Sequence, residues 1–184
     1  DGFGGAVYVN QGKGSLKINN CVLINNNDEM NIQIQSKGES LNIENNWWGS
    51  NNPDFFIQWD HGRFIPVNWL LMNLSKEGNN VIVNFITVRQ RTPVNGSIPE
   101  RNIIFTSKTG TLNPNTTTTN INNIGTAEYT GAEDYIISAQ IDDQILTIKP
   151  NNENTNPNEL YYGEEDNILL IPINDNNIGN VTVI

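Results

Sequence analysis

The side chains able to do acid–base, nucleophilic or metal chemistry are few in this chain, and they are dispersed. Among 184 residues there is one cysteine, Cys21, and one histidine, His61. A lone thiol excludes an internal disulfide, a thiolate zinc cluster and a Cys-x-x-Cys redox pair. A lone imidazole excludes a multi-histidine metal site within the chain. The acidic residues of positions 1–59 are Asp1, Asp28, Glu29, Glu39, Glu44 and Asp54. Adjacent residues on a strand point to opposite faces, so Asp28 and Glu29 would not pair for acid–base work. They read as a solvated turn between Asn25-Asn26-Asn27 and Met30. Glu44, in an expected strand, is the better catalytic candidate, but nothing in the sequence pairs with it. Glycosidic cleavage requires two carboxyls held about 5–10 Å apart. No catalytic, cofactor-binding or metal-binding residue is therefore expected.

Three acidic clusters offer oxygen ligands for calcium: Asp142-Asp143, Glu164-Glu165-Asp166 and Asn174-Asp175-Asn176. None has the spacing of an EF-hand loop, and they read as turn residues of an acidic protein. An isopeptide crosslink would need a buried lysine beside an asparagine and an acid. Lys108 is the only lysine expected within or at the ends of the later strands, and it reads as outward-pointing. Asn73, Asn95, Asn115 and Asn180 begin Asn-x-Ser/Thr sequons. In so asparagine-rich a chain roughly four are expected by chance, so the motif alone carries little weight.

The elements holding these residues read as strands throughout. Alanine is scarce and leucine moderate, which disfavours long helices. Asparagine occupies 34 positions, and it builds turns and tolerates left-handed backbone. The first third repeats itself. Val7-Tyr8-Val9 recurs as Ile32-Gln33-Ile34, Leu16-Lys17-Ile18 as Leu41-Asn42-Ile43, and Asn20 as Asn45, at one step of 25 residues. Apolar and polar residues alternate within each unit, and glycine or asparagine turns separate them. This pattern describes coils of a parallel β-solenoid more naturally than hairpins of a sandwich. Stacking would set Ile18 over Ile43 and Val9 over Ile34 as apolar columns, and Asn20 over Asn45 as an amide ladder at a left-handed turn.

Five aromatics then crowd into residues 47–59: Trp47, Trp48, Phe55, Phe56 and Trp59. The last coil of a solenoid exposes an apolar cross-section that must be covered. These five residues are the expected structural cap; the alternative is a sugar-stacking platform of exposed tryptophans.

From Pro66 the pattern becomes one of short strands with frequent turns. Strands are expected near 67–74, 80–88, 102–107, 124–130, 134–142 and 144–149, the last two joined by a tight turn at Asp142-Asp143. Thr116–Thr119 reads as an edge strand. Together they fit a β-sandwich over 67–149. Residues 150–159 have no apolar residue outside their prolines and read as a linker. Residues 160–184 read as the start of another β domain. The chain opens at Asp1-Gly2-Phe3 and stops within the β-prone Val181–Ile184, so it is expected to be an internal segment of something longer.

Residues 41–59, with Asn45-Asn46-Trp47-Trp48-Gly49-Ser50, resemble the closing coil of right-handed parallel β-helices in adhesin-like surface proteins of methanogenic archaea. Residues 67–149 are similar to the bacterial Ig-like module of the invasin and intimin kind. That likeness rests on Val67–Ser75, Pro99–Phe105, Gly110-Thr111-Leu112 and Gly125-Thr126-Ala127. Residues 160–184, with Tyr162-Gly163 and Gly179–Val183, resemble the start of a second such module. The resemblance implies an all-β chain: C-terminal coils and cap of a right-handed parallel β-helix over 1–59, an Ig-like sandwich over 67–149, a linker, and a truncated second Ig-like domain. It also implies an extracellular protein anchored to the cell envelope through regions outside this segment. No ligand-binding residues carry over.

The net charge of −10 repels phosphate backbones and anionic lipid heads, and no ~18-residue apolar span is present. Neither nucleic acid nor membrane is an expected partner; a cell-surface or carbohydrate ligand is. Two functions fit: a structural and adhesive segment of a surface protein, or the scaffold and accessory module of a secreted β-helix polysaccharide lyase or hydrolase. No cofactor and no enzymatic activity is expected of the segment itself.

Overall fold

A computed structural model describes residues 7–9, 15–24, 32–34, 40–53, 55, 57–59 and 62–150. The expected linker beyond Pro150 and the second β domain, Asp28-Glu29, His61 and Phe56 lie outside the described residues, as do the two acidic clusters after residue 160. All described secondary structure is strand; there is no helix among these residues.

The 25-residue repeat is a physical step. Strand β1 (Val7–Val9) pairs in parallel with β3 (Ile32–Ile34), matching Val7 to Ile32 and Val9 to Ile34. Strand β2 (Ser15–Lys17) pairs in parallel with β4 (Ser40–Asn42), matching Leu16 to Leu41. A third step follows, because β3 pairs in parallel with β5 (Ile57–Trp59), matching Ile32 to Ile57 and Ile34 to Trp59. Strand β6 (Gly62–Arg63) then folds back antiparallel onto β5. Its hairpin covers the outer edge of the third step, which would otherwise present unpaired amides and carbonyls.

The corner of each step is built by asparagine. Asn20 and Asn45 hold φ of 56° and 57°, in the left-handed region where a short polar side chain is tolerated. The Asn20 amide donates to the Asn45 carbonyl at 3.2 Å, and the Asn45 amide to the Asn68 carbonyl at 3.1 Å. The Asn68 side-chain amide donates to Asn45 Oδ1 at 2.9 Å. The stack therefore continues through Asn45 into the chain that enters the next sheet.

That sheet has the strand order β10-β12-β8-β7, from Thr111–Asn113 (β10), Ile124–Thr130 (β12), Asn80–Thr87 (β8) and Leu70–Glu77 (β7). A second four-stranded sheet has the order β11-β9-β13-β14, from Thr116–Thr118 (β11), Asn102–Ser107 (β9), Ile137–Ile141 (β13) and Gln144–Ile148 (β14). All pairings in both sheets are antiparallel. Period-two alternation buries one face of each. Val81, Val83 and Phe85 of the first sheet and Ile103, Ile137, Ala139 and Ile141 of the second enter one buried cluster.

The strand bounds differ from expectation in informative places. β7 begins at Leu70, not at Val67, because the chain just before it is still engaged by the stack. β13 begins at Ile137, not at residue 134, since the bend at Glu133-Asp134 precedes it. β5, β6 and β10 are strands beyond those expected. β7 runs on to Glu77 and takes in Lys76, Lys108 directly follows β9 and Lys149 directly follows β14, so Lys108 is not the only lysine within or at the ends of these strands. The Lys76 ammonium lies 4.8 Å from the Tyr135 ring centroid and 5.7 Å from that of Tyr129.

Candidate functional site

The aromatic turn expected to cap the stack enters the space between the two antiparallel sheets. Asn46 fixes its start. This side chain is fully buried; its amide donates to the Ile18 carbonyl at 2.6 Å and its Oδ1 accepts from the Cys21 amide at 2.9 Å. The Asn46 carbonyl accepts from Leu70 N–H at 3.0 Å, so one residue links two steps of the stack to the first strand of the sandwiched sheets. Trp47 pairs in parallel with Val22 and exchanges backbone hydrogen bonds with Cys21 and Leu23 at 2.9 and 2.8 Å. Its backbone belongs to the stack, while its side chain belongs to the other core.

The Trp47 ring is fully buried, within the cluster formed by the two sheets. It lies 4.9 Å from the Phe85 ring at 58°, within the range of favourable tilted aromatic contacts. Its Nε1–H donates to Asp142 Oδ2 at 2.7 Å. Asp142 occupies the two-residue β13–β14 turn at φ 51° and also accepts from Arg101, at 3.1 Å from Nε and through an ion pair with Nη2. The carboxylate thus receives an indole N–H and a guanidinium edge together. Charge-assisted bonds of this kind are stronger than neutral ones. Arg101 and Asp142 retain 23% and 15% side-chain exposure, so water screens part of the attraction.

Trp48 points elsewhere. Its ring meets Phe55 edge-on at 5.2 Å and 90°, and Phe55 meets Trp69 at 5.1 Å and 72°. All three side chains are buried. The Trp48 Nε1–H is buried without a hydrogen-bond partner. Gly49 makes the turn at φ 90°; a Cβ there would lie 3.0 Å from Ile24 Cγ2, and its carbonyl accepts from the Asp143 amide at 3.2 Å.

Asn51 completes the junction by acting as a strand edge. Its Oδ1 accepts from Met72 N–H at 2.7 Å and its amide donates to the Met72 carbonyl at 3.0 Å. One side-chain amide thereby satisfies both backbone groups of a residue on β7, an edge strand whose outer side lacks a neighbouring strand. The Asn51 N–H donates to Gln144 Oε1 of β14 at 2.6 Å. Residues 46–51 thus span the β7 and β14 edges on the side where these two strands approach each other.

Trp47, Trp48 and Phe55 of the expected cap meet at this junction, in two groups and not one. Trp59 lies on β5, opposite Ile34, as part of the third repeat step. The buried rings of Trp47, Trp48 and Trp69 offer no open face on which a sugar could stack. Residues that sequence reasoning did not select are Asn46, Asn51, Trp69, Arg101 and Asp142 in its role as acceptor. Asp142, which the sequence offers as an oxygen ligand for calcium, has its carboxylate engaged by Arg101 and Trp47. Among the described residues no three His, Cys, Asp or Glu side chains gather where a cation could bind. Glu44 follows β4 and is not part of it, and its backbone N–H donates to Asn19 Oδ1 at 3.3 Å. No helix among the described residues is long and apolar enough to cross a membrane. Comparison with protein-family models, with curated proteins and with solved structures finds no match for this chain.

Proposed function

We propose that this chain is a structural and adhesive segment of a large cell-surface protein. In this reading residues 1–59 are the closing coils and cap of a right-handed parallel β-helix. Residues 67–149 are an Ig-like sandwich, residues 150–159 a linker, and residues 160–184 the start of a further Ig-like unit. The protein is exported and held at the envelope by regions outside this segment. Its ligand is a surface or carbohydrate component met through many weak copies on a long stalk.

One observation carries the proposal: Trp47 belongs to the stack by its backbone and to the sandwiched sheets by its side chain. A stalk that presents a rod must resist bending where the two meet, and an aromatic shared between two cores does this. The polar residues at the junction support the same reading, because Asn46, Asn51 and Asp142 each bond to the protein's own backbone or side chains. The one carboxylate among them, Asp142, is taken up by Trp47 and Arg101.

The experiment is to assay the purified chain and its longer parent side by side on labelled polysaccharides, for binding and for turnover. The proposal expects no turnover by the chain. Turnover abolished by Glu44→Gln would overturn it. Turnover by the parent alone would assign the parent to a polysaccharide-cleaving class and leave this segment as its scaffold.

A further inference from the structure

Three of the four Asn-x-Ser/Thr motifs lie among the described residues, and the fold separates them. Asn73 sits within the eight-residue β7, opposite Asn84 of β8. Its side-chain amide donates to Asn84 Oδ1 at 2.9 Å, and Ser75 is held in the same ladder opposite Ile82. A transferase must draw the sequon out so that the asparagine nitrogen and the hydroxyl two residues on face its active site together. At Asn73 this would require peeling β7 from β8.

The other two are presented differently. Asn95, Gly96 and Ser97 are all exposed, in a bend that Gly96 turns at φ 106°. The bend is anchored from behind: Asn123 Nδ2 donates to the Gly96 carbonyl at 2.7 Å, and Asn123 Oδ1 accepts from Ile98 N–H at 2.9 Å. Asn115 is exposed in the short connection between β10 and β11, flanked by exposed Pro114 and Thr116. Its carbonyl is held by Phe105 N–H at 2.8 Å. Asn95 and Asn115 are therefore both accessible: Ser97 is exposed in the same bend as Asn95, while Thr117 lies opposite Ile103 on β11, a terminal strand of three residues that gives up far fewer ladder bonds than the eight-residue β7.

We propose that Asn95 and Asn115 are N-glycosylation acceptor sites of the folded chain and that Asn73 is not. The donor class is a lipid-linked oligosaccharide carried on phosphate or pyrophosphate. Asn Nδ2 forms a bond to the sugar C1, the C1–O bond to phosphate breaks, the lipid phosphate leaves, and the amide gives up one proton. The proposal rests on the cell-surface reading for its setting, since export brings the chain to such a donor. Position gives the Asn115 glycan a consequence. β10 and β11 are the terminal strands of their sheets on the side opposite the Asn46–Asn51 junction, and a bulky hydrated chain between them would shield both edges from pairing with another molecule.

The test uses the folded, unglycosylated chain. It is incubated with a purified oligosaccharyltransferase and lipid-linked oligosaccharide, alongside peptides covering 71–77, 92–99 and 112–119 that the same enzyme modifies. Intact mass and peptide mapping are read. With Asn180→Gln as the common background, which removes the fourth sequon, two glycans are expected on the folded chain, one when Asn95→Gln is added, one when Asn115→Gln is added and two when Asn73→Gln is added. Failure of the folded chain to take glycan at Asn95 or Asn115, or transfer to Asn73 in the folded chain, would overturn the proposal. Transfer in vitro does not depend on export, so failure of the surface reading would leave this result unchanged.

Discussion

Trp47 is the residue through which the two parts of the fold share a core, and its truncation has a computable consequence. In the Trp47→Ala variant the buried indole is removed from contact with Phe85. Large aromatic-to-alanine changes in a core cost about 3–5 kcal/mol. The variant also loses the indole N–H bond to Asp142, and a hydrogen bond to a charged group contributes about 1.5–3 kcal/mol. The two losses share one site and do not add fully, so the expected loss is about 4–6 kcal/mol. Asp142 keeps Arg101 as partner, so its charge is not orphaned and no further penalty arises. Such a loss approaches the whole stability of many domains, about 5–15 kcal/mol. Trp47→Phe separates the terms: it keeps a ring against Phe85, loses the N–H bond, and should cost about 2–3 kcal/mol. Urea unfolding followed by circular dichroism measures both. A Trp47→Ala change within about 1 kcal/mol of wild type would refute the shared core, because ordinary surface substitutions stay near that scale.

Other outcomes follow from single contacts. Asn51→Ala leaves the Met72 N–H and C=O unpaired and buried, and should cost about 2–4 kcal/mol in denaturant unfolding, with faster exchange of the Met72 amide. Asn20→Ala should cost about 1–2 kcal/mol because of its φ of 56°, whereas Asn20→Gly, free of that strain, should cost less in the same assay. Gly110→Ala should be worse than Gly78→Ala by about 1–3 kcal/mol, since a Cβ at residue 110 would meet the Thr130 carbonyl oxygen at 2.5 Å and one at residue 78 meets nothing within 4 Å; thermal melts of the pair decide it.

The parts of the fold legible in the sequence were those with a short period. Matching at 25 residues placed Val7 on Ile32 and Leu16 on Leu41, which pair in parallel register, and Asn20 on Asn45, which are joined through their backbones; the expected amide ladder is not made through Asn20 Oδ1, which is buried without a partner. The third step was available in the same way, because Ile57-Gln58 repeats Ile32-Gln33. It was hidden by the aromatic crowding, which drew Trp59 into the cap and away from the repeat. Alternation placed β8, β9 and β12 closely, since one face of each is buried and the other open. It misplaced the start of β7, where Val67–Trp69 carry apolar residues for another reason: the chain there still pairs with the stack.

The junction was the least legible part. Nothing local marks Asn51 as an edge cap among 34 asparagines, because its partner Met72 is defined only once β7 lies beside it. The Trp47–Asp142 bond joins residues 95 positions apart, and neither neighbourhood carries a sign of the other. The Asp142-Asp143 turn was visible as a turn. Its role as acceptor depends on Arg101 arriving from β9's entry, which is a matter of topology and not of motif.

Native-state hydrogen exchange of the whole chain under increasing denaturant tests the central claim most directly. The amides of Ile18 and Leu23 in the stack, and of Tyr129 and Phe105 in the two sheets, are all hydrogen-bonded to backbone carbonyls, so each reports the opening of its own part. If the junction joins stack and sandwich into one structural element, these amides should converge on a common opening free energy with a common denaturant slope. Trp47→Ala should then split them into two groups. Stack amides that open independently in the wild type, at several kcal/mol below the sheet amides and unmoved by the Trp47 change, would contradict the account.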